Sequence, residues 1–296
     1  MCLSIPIYLG KMVRKVIVVN LIDKNISHVN CYDDGLEKGR TPKKISYVRN
    51  QISFNGITIF TDDCLRQVNS VESTHKVAWI MEPRSYAPNS YYLLESLIDK
   101  FDLILTFDSH LLSNYPDKTK RIPADGIFLD SESIFSNTPK TKCCSIIYSN
   151  KTFLPGHALR HEIAKSIIDN QQNIDRFGSG TGVYLEKKSD ALREYRFSIS
   201  IENSKDEFYI TEKIFDCFAT RTIPIYWGSN RVLKEFNSDG ILMFDTLSDL
   251  NGTISQLSDS FYESKISAVE ENYRLALKHY SVDDHIADAL SSLIRE

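Results

Sequence analysis

Short apolar runs recur along the first half of the chain, at residues 16–21, 57–60, 77–80 and 103–107, each bounded by polar or turn-forming positions. Runs of this length, rich in Val, Ile and Leu, read as buried strands. Between two of them, residues 91–99 carry apolar positions at helical spacing, and this alternation predicts a parallel α/β sheet. Residues 131–142, with Ser133, Ser136, Asn137, Thr138 and Pro139, break the pattern and are expected to link two domains. A second alternating series starts at residues 144–148, so the predicted domains are 1–140 and 141–296. Toward the end, Val269, Leu275, Ile286 and Leu290 lie at helical spacing and predict two terminal helices, broken near Ser281, that belong to the second domain or pack back on the first.

The densest pattern is residues 197–228. A β-branched run from Phe197 to Ile201 is followed at once by Glu202, Asn203 and Ser204, a polar break at the carboxyl end of a strand, where open α/β sheets bind ligands. Thr211 is placed to cap a helix in which Ile214, Phe215 and Phe218 share one face, leaving Lys213, Asp216 and Thr220 at the surface. The unpaired N–H groups of its first turn, with Lys213 beside them, suit a diphosphate, and Glu212 can accept hydrogen bonds from ribose hydroxyls. Residues 222–227 form a continuous apolar run, read as a buried parallel strand closed by Gly228. Residues 177–182 hold three glycines at a spacing that fits neither a phosphate loop nor a dinucleotide fingerprint, and are expected to be a flexible turn.

Composition narrows the function classes. At 296 residues, 42% hydrophobic and 25% charged, the chain suits two domains of roughly 140 residues rather than a disordered or fibrous protein. A net charge of −4 with scattered basic residues argues against a nucleic-acid groove or a polybasic membrane face. The six cysteines, Cys2, Cys31, Cys64, Cys143, Cys144 and Cys217, show no Cys-x-x-Cys spacing and read as reduced thiols. His157 and His161 lie four apart but have no evident third ligand, which argues against zinc. No Asp-x-Asp spacing occurs, and the adjacent pairs at 33–34, 62–63 and 283–284 read as solvated loop residues, so no essential metal is expected. Residues 2–10 are too short and interrupted for a signal sequence, and no apolar span of membrane length occurs, which predicts a soluble, cytoplasmic protein.

The elements Phe197, Glu202-Asn203-Ser204, Tyr209-Ile210-Thr211-Glu212-Lys213 and Ile223-Pro224-Ile225-Tyr226-Trp227-Gly228 resemble the donor-binding signature of glycosyltransferase family 10, the α-1,3/4-fucosyltransferases. Order and spacing hold over some thirty residues. The resemblance implies a GT-B fold of two Rossmann-like domains facing across a cleft, and a soluble member like those of bacteria or viruses, in a bacterial cell or an infected host cell. It implies GDP-fucose as donor and a glycan hydroxyl as acceptor, joined by an inverting α-1,3 transfer. It assigns Arg160, in the segment 156–162, to the donor phosphates together with Tyr209 and Lys213, and gives Glu202, Asn203, Thr211 and Glu212 to the donor site. Trp79 and Glu82-Pro83 resemble the segment that carries the family's proposed general base, which makes Glu82 the expected proton acceptor, although Pro83 follows it directly where many members have an intervening serine. Two other readings stand beside this one: a transferase of the same fold using another nucleotide sugar, and a noncatalytic glycan-binding protein on the same scaffold.

Overall fold

The computed structural model describes residues 16–24 and 42–294. Cys2, Cys31, the pair Asp33 and Asp34, and the stretch 2–10 lie outside them. The chain divides into two compact units, one running to Gly126 and resuming at Ser281, the other Ile127–Tyr280.

The first unit is built on six parallel strands, β1 (Ile17–Ile22), β2 (Ile45–Arg49), β3 (Ser53–Thr61), β4 (Glu72–Trp79), β5 (Leu103–Thr106) and β6 (Thr119–Arg121), in the order β2-β1-β3-β4-β5-β6. Helices α1 (Pro88–Ser96) and α2 (Ser109–Asn114) fall in the connections after β4 and β5. The four expected strands are present. β2 and β6 were not expected, because Ser46 and Arg49 interrupt the apolar run of one and Thr119-Lys120-Arg121 in the other has no apolar residue.

The second unit is also a parallel sheet: β7 (Lys142–Ile147), β8 (Asp175–Phe177), β9 (Tyr195–Ile201), β10 (Ile223–Trp227) and β11 (Leu242–Met243), ordered β11-β10-β9-β7-β8. Its helices are α3 (Ser131–Phe135), α4 (Pro155–Asp169), α5 (Glu212–Ala219), α6 (Val232–Glu235), α7 (Leu247–Ile254), α8 (Asp259–Ser264) and α9 (Ile266–Ala276). β9 and β10 pair in register from Phe197 opposite Ile223 to Ile201 opposite Trp227; β9 is the central strand, and the expected buried parallel strand, β10, is flanked by β9 and β11.

The boundary falls at Gly126 rather than near residue 140, and 131–142 is not a linker. Its physical cause is burial. Ile127, Leu129 and Ile134 join the core formed by Ile214, Phe215 and Phe218, so this segment belongs to the second unit, and Asp130 caps α3 by accepting from Ser133 N. The last helix, α10 (Val282–Leu290), belongs to the first unit: Val282, Ile286 and Leu290 pack with Val19, Leu21 and Tyr47. Asp283 and Asp284 are therefore not solvated loop residues. Fully buried Asp283 accepts from Tyr47 OH at 2.6 Å, and Asp284 Oδ1 accepts from Lys43 N and Lys44 N at 3.0 and 3.1 Å.

Candidate functional site

The second unit contains a cavity of about 350 Å³ at the carboxyl ends of β7, β8 and β9. Three local features shape it. β9 ends at Ile201, and Glu202 turns inward with no exposed surface. Its Oε1 accepts from Thr211 N at 3.0 Å and from Tyr226 OH at 3.0 Å, while Oε2 accepts from Thr211 Oγ1 at 2.7 Å. Glu202 thereby ties the end of β9 to the start of α5 and to β10, and its oxygens face protein rather than the cavity.

Thr211 is the N-cap of α5, its side chain accepting from Lys213 N, as expected. Lys213 Nζ reaches Glu212 Oε1 at 3.2 Å and Glu202 Oε2 at 3.5 Å. Asp216 and Thr220 are buried rather than exposed, contrary to the expected amphipathic face, because α5 is packed on both sides. Asp216 answers its burial with Phe128 N–H at 2.8 Å and Lys188 Nζ at 2.7 Å.

α4 supplies the opposite wall. Pro155 stands in its first turn, and Gly156 N–H donates to Asn203 O at 3.0 Å. A Cβ on Gly156 would lie 1.7 Å from the Glu202 carbonyl oxygen, so only glycine lets the helix start this close to the strand end. One turn on, buried Arg160 donates through Nη2 to Ile201 O and, at 3.0 Å, to Asn203 Oδ1. Burial draws its pKa down, while the Glu202 and Glu212 carboxylates oppose that. His157 also lines the cavity; burial first, then the charges of Arg160, Lys151 and Lys213, push its pKa down to about 4. His161 instead faces Lys151 O at 3.0 Å.

The glycine-rich turn is packed, not free. Gly178 has φ +100° and borders the cavity with Ser179; Gly180 N–H donates to Tyr148 O at 3.1 Å, and a Cβ there would meet the Tyr148 ring at 2.4 Å.

Of the expected site residues, Arg160, Asn203, Glu212 and Lys213 line one cavity. Glu202, Tyr209 and Thr211 are buried behind it, and the bonds between Glu202 and Thr211 hold the loop and helix start. Glu82 lies in the first unit, just past β4. There Tyr91 OH donates to its carbonyl at 2.9 Å, and Asp62 Oδ1 accepts from Met81 N at 3.3 Å. Burial, followed by the charges of Glu82, Asp23 and Asp63, pushes the Asp62 carboxyl up to about 7. Lys188 and Lys151 also line the second-unit cavity and were missed by sequence reasoning, since the pair Lys187-Lys188 and the single Lys151 read as solvated surface lysines. The cavity thus gathers fixed cations, one ionised carboxylate and an amide, a set suited to a phosphorylated polar ligand.

Cys64, Cys143, Cys144 and Cys217 are free thiols. Among the described residues, no group of three or more His, Cys, Asp or Glu comes together as a metal site, and no helix is long and apolar enough to cross a membrane.

Residues 137–258 match the family model described as glycosyltransferase family 10 (fucosyltransferase) C-term. An α-(1,3)-fucosyltransferase FucT of Helicobacter pylori is 45% identical over 56 residues, 19% of this chain and 12% of that protein. A putative fucosyltransferase R654 of Acanthamoeba polyphaga mimivirus is 23% identical over 274 residues, 77% of this chain and 44% of that one. The chain thus spans less than half the length of either relative. Among solved structures, an α1,3-fucosyltransferase with GDP-fucose superposes with a TM-score of 0.57 at 15% identity, covering 98% of this chain and 94% of that one. Anabaena Alr3699/HepE in complex with UDP superposes at 0.59 with 10% identity, covering 94% and 100%. The fold is that of the GT-B glycosyltransferases, α/β with a Rossmann-like parallel sheet in each unit.

Proposed function

We propose that the chain is a member of glycosyltransferase family 10, whose model matches residues 137–258, and that it is an inverting α-1,3-fucosyltransferase that moves fucose from GDP-fucose to a glycan hydroxyl. The observation that carries this reading is the meeting of Arg160, Asn203, Glu212 and Lys213 in one cavity at the end of β9, inside the matched domain.

In this mechanism the diphosphate lies against Lys213 and the Arg160–Asn203 pair, near the first turn of α5. The acceptor oxygen attacks the anomeric carbon as the bond from that carbon to the diphosphate oxygen breaks, and the configuration inverts. Charge grows on the leaving GDP, and the fixed cations favour that state more than the intact donor. Glu82 takes the proton of the attacking hydroxyl, which is too weak an acid to lose it unaided at neutral pH. Glu202, Tyr209 and Thr211 act by holding the loop between β9 and α5. The protein needs no resident metal in this scheme, because the protein's own cations meet the diphosphate.

Calorimetric titration with GDP-fucose, GDP, GDP-mannose and UDP-galactose tests the donor. Tight binding of the guanine nucleotides, weakened about tenfold to a hundredfold by Lys213→Ala, is expected for loss of a charged hydrogen bond. Absence of binding by any guanine nucleotide overturns the fucosyltransferase reading. Release of GDP from GDP-fucose in the presence of β-linked galactose or N-acetylglucosamine acceptors then tests transfer, and separates it from glycan binding without chemistry.

A further inference from the structure

His157 stands among three cations. It is buried in the first turn of α4 and lines the cavity with Arg160 of the same helix, Lys151 of the loop after β7 and Lys213 of α5. The Phe153 ring packs edge-to-face against the imidazole, with centroids 4.8 Å apart. Nδ1 is buried and has no hydrogen-bond partner among the described residues, so the protein offers no acceptor to hold a proton at that nitrogen. Burial lowers the pKa most, followed by the charges of Arg160, Lys151 and Lys213, while the Asn203 side chain opposes them. The two carboxylates at this end of the sheet are engaged elsewhere. Glu202 accepts from Thr211 and Tyr226, and Glu212 meets Lys213, Lys188 and the Thr211 side chain.

We infer that His157 is a proton-linked residue of this cavity: a diphosphate held among Arg160, Lys151 and Lys213 draws one proton from solvent onto the imidazole, which then adds its positive charge to theirs. This rests on the reading of the cavity as a nucleoside diphosphate site. Repulsion by the surrounding cations is the one cause of the neutral ring that a bound anion reverses, and an opposite charge within about 4–6 Å moves a pKa by about 1–3 toward the charged form. A fourth fixed cation would repel the other three before any ligand arrived. A histidine becomes charged only once negative charge is present to hold it, so nucleotide affinity gains strength as the pH falls through the ring's pKa in the complex.

Calorimetry with GDP-fucose at pH 5 and pH 7.5, each in buffers of different ionisation enthalpy, counts the protons taken up on binding. Each phosphate of this donor carries one negative charge throughout that range, so the ligand itself takes up none. If the pKa of about 4 rises by about 2 in the complex, wild type takes up most of one proton at pH 5 and almost none at pH 7.5, and binds about tenfold tighter at the lower pH. His157→Gln is expected to lose the uptake and to show an affinity ratio between the two pH values near onefold. The proton count on wild type needs no variant, so it decides even where His157→Gln does not fold. No uptake by wild type at pH 5, or the same uptake by His157→Gln, overturns the inference and leaves the nucleotide reading standing. Absence of GDP-fucose binding at both pH values overturns the two together.

Discussion

Glu202 receives both hydrogen bonds that Thr211 can donate, the backbone N–H at 3.0 Å on Oε1 and the hydroxyl at 2.7 Å on Oε2. A residue nine positions away along the chain is thus clamped to the end of β9, and the N-cap of α5 is set by a carboxylate on a different element. With Tyr226 OH also on Oε1, no exposed surface of Glu202 remains for a ligand. Its contribution to the cavity is to place Glu212 and Lys213.

Glu202→Gln exchanges one acceptor oxygen for an amide that donates, so it cannot accept from Thr211 on both sides and from Tyr226 as well. A loss of about 1–3 kcal/mol in urea denaturation is expected, the cost of a buried polar group left without its partner. GDP affinity should fall with it, because the first turn of α5 loses its clamp. Unchanged stability would remove Glu202 from this role.

Gly156→Ala tests the close approach of α4. The added methyl carbon would stand 1.7 Å from the Glu202 carbonyl oxygen, a backbone atom that cannot turn aside. The helix start must move away, carrying Arg160 from Ile201 O and Asn203. Destabilisation of about 1–3 kcal/mol, as for overpacked sites, and a weaker GDP complex are expected in denaturation and calorimetry. Alanine is otherwise favoured over glycine in a helix, so a stabilised variant would contradict the contact.

The particular residues show where sequence reading succeeds. The signature is legible because Glu202, Thr211 and Lys213 sit at fixed offsets around a strand end and a helix start, where backbone geometry dictates residue type. Asp216 was assigned to the surface because a helical pattern with one apolar face implies a wet one; the wet face disappears when Lys188 and Phe128, distant in sequence, cover it. The domain boundary was misplaced for a similar reason. Polar residues between 131 and 142 suggested a linker, but three apolar positions, Ile127, Leu129 and Ile134, are enough to fix the segment in the second core. Lys188 stands in a Lys187-Lys188 pair that reads as solvated, and its pairing with Asp216 and Glu212 exists only in three dimensions.

His157 gives the stability curve a direction. Its pKa is about 4 in the folded protein, below the usual value of 6.5, with burial the leading cause and Arg160, Lys151 and Lys213 adding to it. Between those values the unfolded chain binds more protons than the folded one, so stability rises with pH across the window. The contribution is complete above about pH 6.5 and is lost as the pH falls toward 4. Urea denaturation at pH 5 and pH 7.5 should show wild type losing on the order of 1–3 kcal/mol more than His157→Asn. Equal losses in the two proteins would mean that the ring titrates normally.

Glu82→Gln separates chemistry from donor binding. Glu82 follows β4 in the first unit, whereas every residue lining the cavity at the end of β9 belongs to the second. The amide keeps the shape of the side chain, and the Tyr91 hydroxyl bonds the Glu82 backbone carbonyl, which the substitution does not alter. On the proposal that Glu82 is the general base, its loss lowers transfer by about 10²–10⁴-fold. GDP-fucose affinity should stay within about twofold of wild type, since the substitution removes no group from the cavity in the second unit and a difference of that size is well below one hydrogen bond. Stopped-time assays of fucose transfer, paired with calorimetry on the same variant, read the two quantities independently. A variant that transfers fucose at the wild-type rate would take the role of base away from Glu82, and one that lost both donor binding and transfer would make its contribution structural.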